Sequence, residues 1–158
     1  MSSPTIFRSQ VAGMNIHHKQ FSLEHFLSSM EREGYVSIAF WGGPPHFELN
    51  CVGYQDCRNL RKQFEAHGLS CACFTTHALL PGNQFSTDGA EHIEKTYAYF
   101  LNGIRIAAEL GAPLVIANSG YGLRCLPHTD AWNRTRDMLR RLAEEGEKKG
   151  VTLTMESL

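Results

Sequence analysis

The chain has 158 residues, 42% apolar and 20% charged, with 15 Lys+Arg against 16 Asp+Glu and a net charge of -1. That suffices for one domain with a real core, read here as 1–158, and a balanced charge without a basic stripe argues against nucleic acid as a partner. No window approaches the roughly 20 apolar residues of a membrane span, and the opening MSSPTIFRSQ lacks the apolar stretch of a secretion signal, so no membrane is expected and the setting is read as cytoplasmic.

The cysteines, Cys51, Cys57, Cys71, Cys73 and Cys125, are odd in number and contain no C-x-x-C pair, which points to reduced thiols rather than a disulfide framework. Strand alternation predicts that Cys71 and Cys73 share one buried face in a structural role.

In chain order, Thr5 to Met14 reads as a weak first strand, followed by a His17-His18 loop assigned to the surface. A helix over 21–32 has Ser22 as its cap and Leu23, Phe26, Leu27 and Met30 on one face. The second strand, over 35–41, carries Val36, Ile38, Phe40 and Trp41, and Gly42-Gly43-Pro44-Pro45 forces the chain out of it into His46. Loops at the carboxyl ends of parallel strands hold the chemistry of α/β folds, which makes Trp41 and His46 candidate site residues.

A second helix over 55–67 turns Leu60 and Phe64 inward, and a third strand over 69–75 exits through Thr76 and His77 into a loop over 78–89. The clearest helix spans 90–110, where Ile93, Tyr97, Phe100, Leu101, Ile104, Ala107 and Ala108 form a helical stripe. A fourth strand over 113–118 leaves through Asn118-Ser119-Gly120-Tyr121-Gly122, which could meet an oxyanion or a sugar hydroxyl but lacks the spacing and lysine of a phosphate loop. A last helix over 129–149, with Trp132, Leu139 and Leu142 inward, precedes a fifth strand over 151–156. Phe100, Ile104, Leu114, Ile116 and Leu139 are expected in the core.

The helix-to-strand junctions repeat: EREG-Y, EAHG-L, AELG-A and EKKG-V each place a charged helix end before a glycine and a strand. The glycine supplies the left-handed conformation that turns the chain back into a sheet. One strand and one helix between successive glycines is the rhythm of consecutive β/α units. A doubly wound sheet of order 2-1-3-4-5 would cover its fifth strand with a last helix, whereas here only two residues follow Glu156. The expected fold is therefore α/β, a partial TIM (β/α) barrel of about five parallel strands in sequential order with helices outside, the amino-terminal portion of a (β/α)8 barrel.

The run IAFWGGPPH, followed at barrel spacing by a strand ending in M-E-S, resembles the sugar isomerase and epimerase barrels related to xylose isomerase, in particular the fructoselysine 3-epimerase type. The A-x-E-L-G-A helix end, the helix start at Trp132 and G-V-T-L-T-M-E fall in the same order. The resemblance implies that Glu156 binds a divalent metal (Mn, Mg or Co) and exchanges a proton with the substrate carbon. It implies a sugar contact by His46, and Trp41 by its loop position, His77 at the exit of strand three and Asn118 in the loop leaving strand four join it as candidate sugar contacts. Ala39 stands where many relatives carry a strand-two glutamate, and an aspartate, a histidine and a second glutamate expected on strands six to eight have no counterpart.

The function expected is thus a metal-dependent ketose or ketosamine epimerase or isomerase acting next to a carbonyl, with this portion alone inactive and leaving the metal unbound. Two readings stand beside it: a non-catalytic truncated remnant that forms homo-oligomers through its exposed strand edges, and a small-molecule-binding α/β domain. A serine hydrolase is disfavoured, because no G-x-S-x-G elbow places a nucleophile.

Overall fold

The computed structural model describes residues 6–49, 56–77, 83–118, 120–122, 124–125 and 127–156. Expectations for Thr5, Gln55, the 78–82 part of the third loop and Ser119 lie outside the described residues. Five strands, β1 (Gly13–Met14), β2 (Ser37–Gly42), β3 (Ser70–Thr76), β4 (Leu114–Asn118) and β5 (Thr152–Glu156), form one parallel sheet in the order β1-β2-β3-β4-β5. Helices α1 (Leu23–Arg32), α2 (Cys57–Ala66), α3 (Ala90–Leu110) and α4 (His128–Glu147) alternate with them. The sheet is open, and the sequential order excludes the 2-1-3-4-5 alternative. Among the described residues no helix is long and apolar enough to cross a membrane.

The repeated glycine junction works through local hydrogen bonds. Gly34, Gly68, Gly111 and Gly150 all have φ between 67° and 76°. In each case the next N–H bonds the carbonyl five residues back: Tyr35 to Met30, Leu69 to Phe64, Ala112 to Ala107 and Val151 to Gly146. The same cap therefore ends all four helices and launches the strand that follows. Asp56 caps α2 through the N–H groups of Arg58 and Asn59, and Ser22 caps α1 through His25 N–H.

The core lies between the sheet and the helices. Phe26, Phe40, Phe64, Phe74, Phe100, Ile104, Ile106, Val115 and Leu142 are fully or almost fully buried there. Phe40 meets Phe64 at 5.1 Å and Phe47 at 5.9 Å between ring centroids, and Phe85 stacks on Phe100 at 4.3 Å.

Several expectations are corrected. The first strand shrinks to Gly13–Met14, because Arg8–Gln10 closes a 3-10 turn in which the Gln10 side chain accepts the Phe7 N–H, leaving Ile6 and Phe7 exposed. Cys71 and Cys73 do not share a face. Ile38 pairs with Cys71 and Ala39 with Cys73, so Ala72 is an extra bulge residue that lets Cys71 and Phe74 both join the helix-side core. Leu114 is 37% exposed and Ile116 half-buried, because both alternate with the core residues Val115 and Ala117 and so face the open inner side of the sheet. Trp132 is 71% exposed: the buried line of α4 runs through Met138, Leu142 and Gly146, and Trp132 lies off it, beside the half-buried Leu139.

Candidate active site at the carboxyl rim

Strand register decides which side chains reach the inner face. Phe40, Phe74 and Val115 belong to the helix-side core, so Trp41, Thr75 and Ile116, which follow them, form a row across the inner face. On β5 Leu153 packs toward the core, leaving Thr154 and Glu156 inward. The next inward positions after Thr75, Ile116 and Thr154 are His77, Asn118 and Glu156, where the strands end.

The structure thus collects four of the expected residues on one rim. The Trp41 and His77 rings meet edge to face, with centroids 4.9 Å apart. Asn118, buried, pairs in register with the exposed Glu156 on the adjoining strand. Tyr99 Oη donates to the His77 carbonyl at 2.8 Å, fixing the exit of β3; burial pushes the Tyr99 phenol up, so it stays a donor.

His46 sits elsewhere. It is buried behind the loop, its Nε2 2.8 Å from the Phe21 carbonyl and its Nδ1 3.1 Å from Asn15 Nδ2. Both ring nitrogens are engaged by the protein. The two glycines before it make room for rings: a Cβ on Gly42 would strike Phe74, and one on Gly43 would collide with the Trp41 indole.

The neighbouring histidines also differ from expectation. His17 is exposed, but His18 turns its ring edge-on to Phe26 at 5.2 Å and its Nδ1 is shut from solvent with no partner among the described residues. Burial first, then the nearby His25, His46 and His17, hold its imidazole below the ordinary value. The exit of β4 is stapled from the preceding unit: Gln84 Oε1 accepts the Tyr121 N–H at 3.0 Å and Ser86 Oγ donates to the Tyr121 carbonyl at 2.7 Å. Asn15, Gln84 and Ser86 were not legible as site-building residues, since single polar residues in loops carry no spacing signal.

As a metal site the rim is incomplete. Among the described residues, no group of three or more His, Cys, Asp or Glu side chains is placed to hold a metal ion. Glu156 offers one hard anionic donor, well short of the six or so oxygen or nitrogen ligands such cations take.

Residues 27–158 match the xylose isomerase-like TIM barrel family. Fructoselysine 3-epimerase of Shigella flexneri is 24% identical over 145 residues, covering 89% of this chain and 51% of that protein. Among solved structures, 3-keto-D-glucoside 4-epimerase from E. coli superposes with a TM-score of 0.75 at 11% identity, over 95% of this chain and 56% of that one. An L-ribulose 3-epimerase does so with a TM-score of 0.68 at 24% identity, over 84% and 43%. The chain spans about half the length of the curated relatives it matches. A sequential parallel sheet with the strand-exit residues on one rim and a match over most of the length give one conclusion: the chain belongs to the xylose isomerase-like TIM barrel family.

Proposed function

We propose that this chain is the amino-terminal part of a sugar epimerase or isomerase that moves a proton on the carbon next to a ketose or ketosamine carbonyl. The observation that carries the reading is Glu156, an exposed carboxylate at the carboxyl end of β5, beside Asn118 and on the rim that holds Trp41 and His77. The relatives bearing epimerase names support the reaction class.

In this reading Glu156 accepts the proton made acidic by the adjacent carbonyl and returns it, and the Asn118 amide and the His77 imidazole hydrogen-bond sugar hydroxyls. The Trp41 indole presents an apolar edge to the C–H side of the sugar. Inverting a centre needs a second base on the opposite face. The divalent metal that the resemblance implies, Mn, Mg or Co with Glu156 as one ligand, needs donors the described residues do not provide. Both would come from polypeptide beyond these 158 residues, so no step is assigned to the metal and the chain alone is inactive. We place the protein in the cytoplasm.

The decisive experiment joins or mixes this chain with the carboxyl-terminal half of a family member and assays ketose epimerisation. Activity should appear, require a divalent metal and vanish in Glu156→Gln, which keeps the shape and removes the base. Metal-dependent turnover by the 158 residues alone, unaffected by Glu156→Gln, would overturn both the partial-barrel reading and the role of Glu156.

The self-associating remnant stays as the second reading because, among the described residues, no strand pairs with the outer edge of β5, and Met155 and Trp132, which line one cavity, are exposed. Sedimentation separates the two: oligomers that neither bind metal nor recover activity on complementation favour the remnant.

A further inference from the structure

Asn15 is a buried polar side chain whose amide oxygen and nitrogen are both bonded, and the proposed chemistry does not use it. Its side chain is fully buried at the start of the 3-10 turn, Asn15–His18, that follows β1. Oδ1 accepts the Trp41 N–H at 2.6 Å, and Nδ2 donates to the Trp41 carbonyl at 3.1 Å and toward His46 Nδ1 at 3.1 Å. The hydrogen assignments follow from partners of fixed polarity. The Phe21 carbonyl can only accept, so His46 Nε2 carries a hydrogen and Nδ1 is left to accept from Asn15. The Trp41 N–H can only donate, so the Asn15 amide cannot be flipped.

This arrangement continues the sheet without strand. β1 pairs with β2 only through Gly13–Ile38 and Met14–Ala39, and its backbone then turns away. The Asn15 amide takes over as a surrogate peptide group, gripping both the N–H and the carbonyl of Trp41 where the next rungs would lie. The Trp41 indole is confined from other sides by the close approach of Gly43 and by the edge of His77. His46, anchored on Phe21, is the brace that orients the amide.

We propose that Asn15 and His46 form a positioning latch that sets the Trp41 indole on the floor of the sugar site, with His46 acting through Asn15 and not on the substrate. The use of Trp41 by a sugar rests on the function proposed above; the latch itself can be read in the ligand-free chain.

The test uses Trp132→Phe, which removes the exposed indole and leaves Trp41 as the sole tryptophan of the two. Shielding of Trp41 is measured by its emission maximum and by acrylamide quenching, with far-UV circular dichroism as the control for folding. His46→Gln keeps an acceptor for Asn15 and a donor for Phe21 but has no imidazole, and it should preserve the shielding. His46→Leu and Asn15→Leu should each shift emission to the red and raise quenching several-fold, with the double variant no worse than the worse single one. Loss of shielding in His46→Gln equal to that in His46→Leu, or unchanged shielding in both leucine variants, overturns the latch.

Should the leucine variants fail to fold, Asn15→Asp decides. Its carboxylate accepts the Trp41 N–H but has no hydrogen to give the Trp41 carbonyl or His46 Nδ1. At pH 8 its shielding should therefore be poorer than that of the Trp132→Phe parent. Shielding of Asn15→Asp equal to the parent's at pH 8 overturns the latch. Ketose epimerisation by the chain joined to the carboxyl-terminal half then addresses the function separately: if the latch variants behave as expected but the joined chain does not epimerise ketoses, the latch stands and the use of Trp41 by substrate falls.

Discussion

Ile104→Ala together with Trp132→Ala tests whether helix faces are set by the packing described here or by the apolar pattern of the sequence. Ile104 lies on α3 with no exposed surface. Removing three carbons from a fully buried site loses about 2.4 kcal/mol at about 0.8 kcal/mol per methylene, and the cavity left behind brings the expected range to about 2 to 5 kcal/mol. In a domain of this size each kcal/mol moves the thermal midpoint by about 2 to 4 °C, so a loss of about 3 kcal/mol lowers it by about 6 to 12 °C. Trp132 is 71% exposed, and its truncation should cost no more than about 0.5 kcal/mol, whereas an inward tryptophan would cost about 3 to 5 kcal/mol. The assay is thermal and urea unfolding by circular dichroism, at a protein concentration where the chain sediments as a monomer. A midpoint unchanged in Ile104→Ala, or one that falls as far in Trp132→Ala as in Ile104→Ala, would refute the placement of α3 and α4 against the sheet.

Other expectations follow from single residues. His67 donates to Glu31 at 2.7 Å and faces Glu24 at 3.4 Å, and chiefly the Glu31 hydrogen bond holds its imidazole above the ordinary value. Its folded value therefore exceeds the unfolded one, so the stabilisation is full below about pH 6.5 and is lost as pH rises through the folded value. The stability difference between the parent and His67→Gln should accordingly shrink from pH 5 to pH 8, and a constant difference would refute the clamp. Gly150 has φ 67° with open space where a Cβ would go, so Gly150→Ala should cost about 1 to 2 kcal/mol from backbone conformation alone, read by urea unfolding. Burial raises the Cys57 and Cys71 thiols to about 12, so alkylation at pH 8 followed by peptide mapping should modify exposed Cys125 and spare those two while the chain stays folded.

What the sequence determined by itself is the part that rests on local chemistry. A glycine cap and its N–H bond five residues back are encoded within a few positions, so four β/α junctions could be read from EREG-Y, EAHG-L, AELG-A and EKKG-V. Alternation from those strand starts also carried Trp41, Asn118 and Glu156 to one rim, and His77 joins them only because the bulge at Ala72 reverses the alternation of β3. Tertiary structure decided the rest, because the deciding partners are far apart in the chain. Asn15 meets Trp41 across 26 positions and His46 across 31, so no local spacing announces the bonds that engage His46 inside the protein. The bulge that separates Cys71 from Cys73 exists only through the register with Ile38 and Ala39. Trp132 looks inward by composition, yet which side of α4 is buried is set by where α3 and β5 pack against it, and that contact runs through Met138, Leu142 and Gly146.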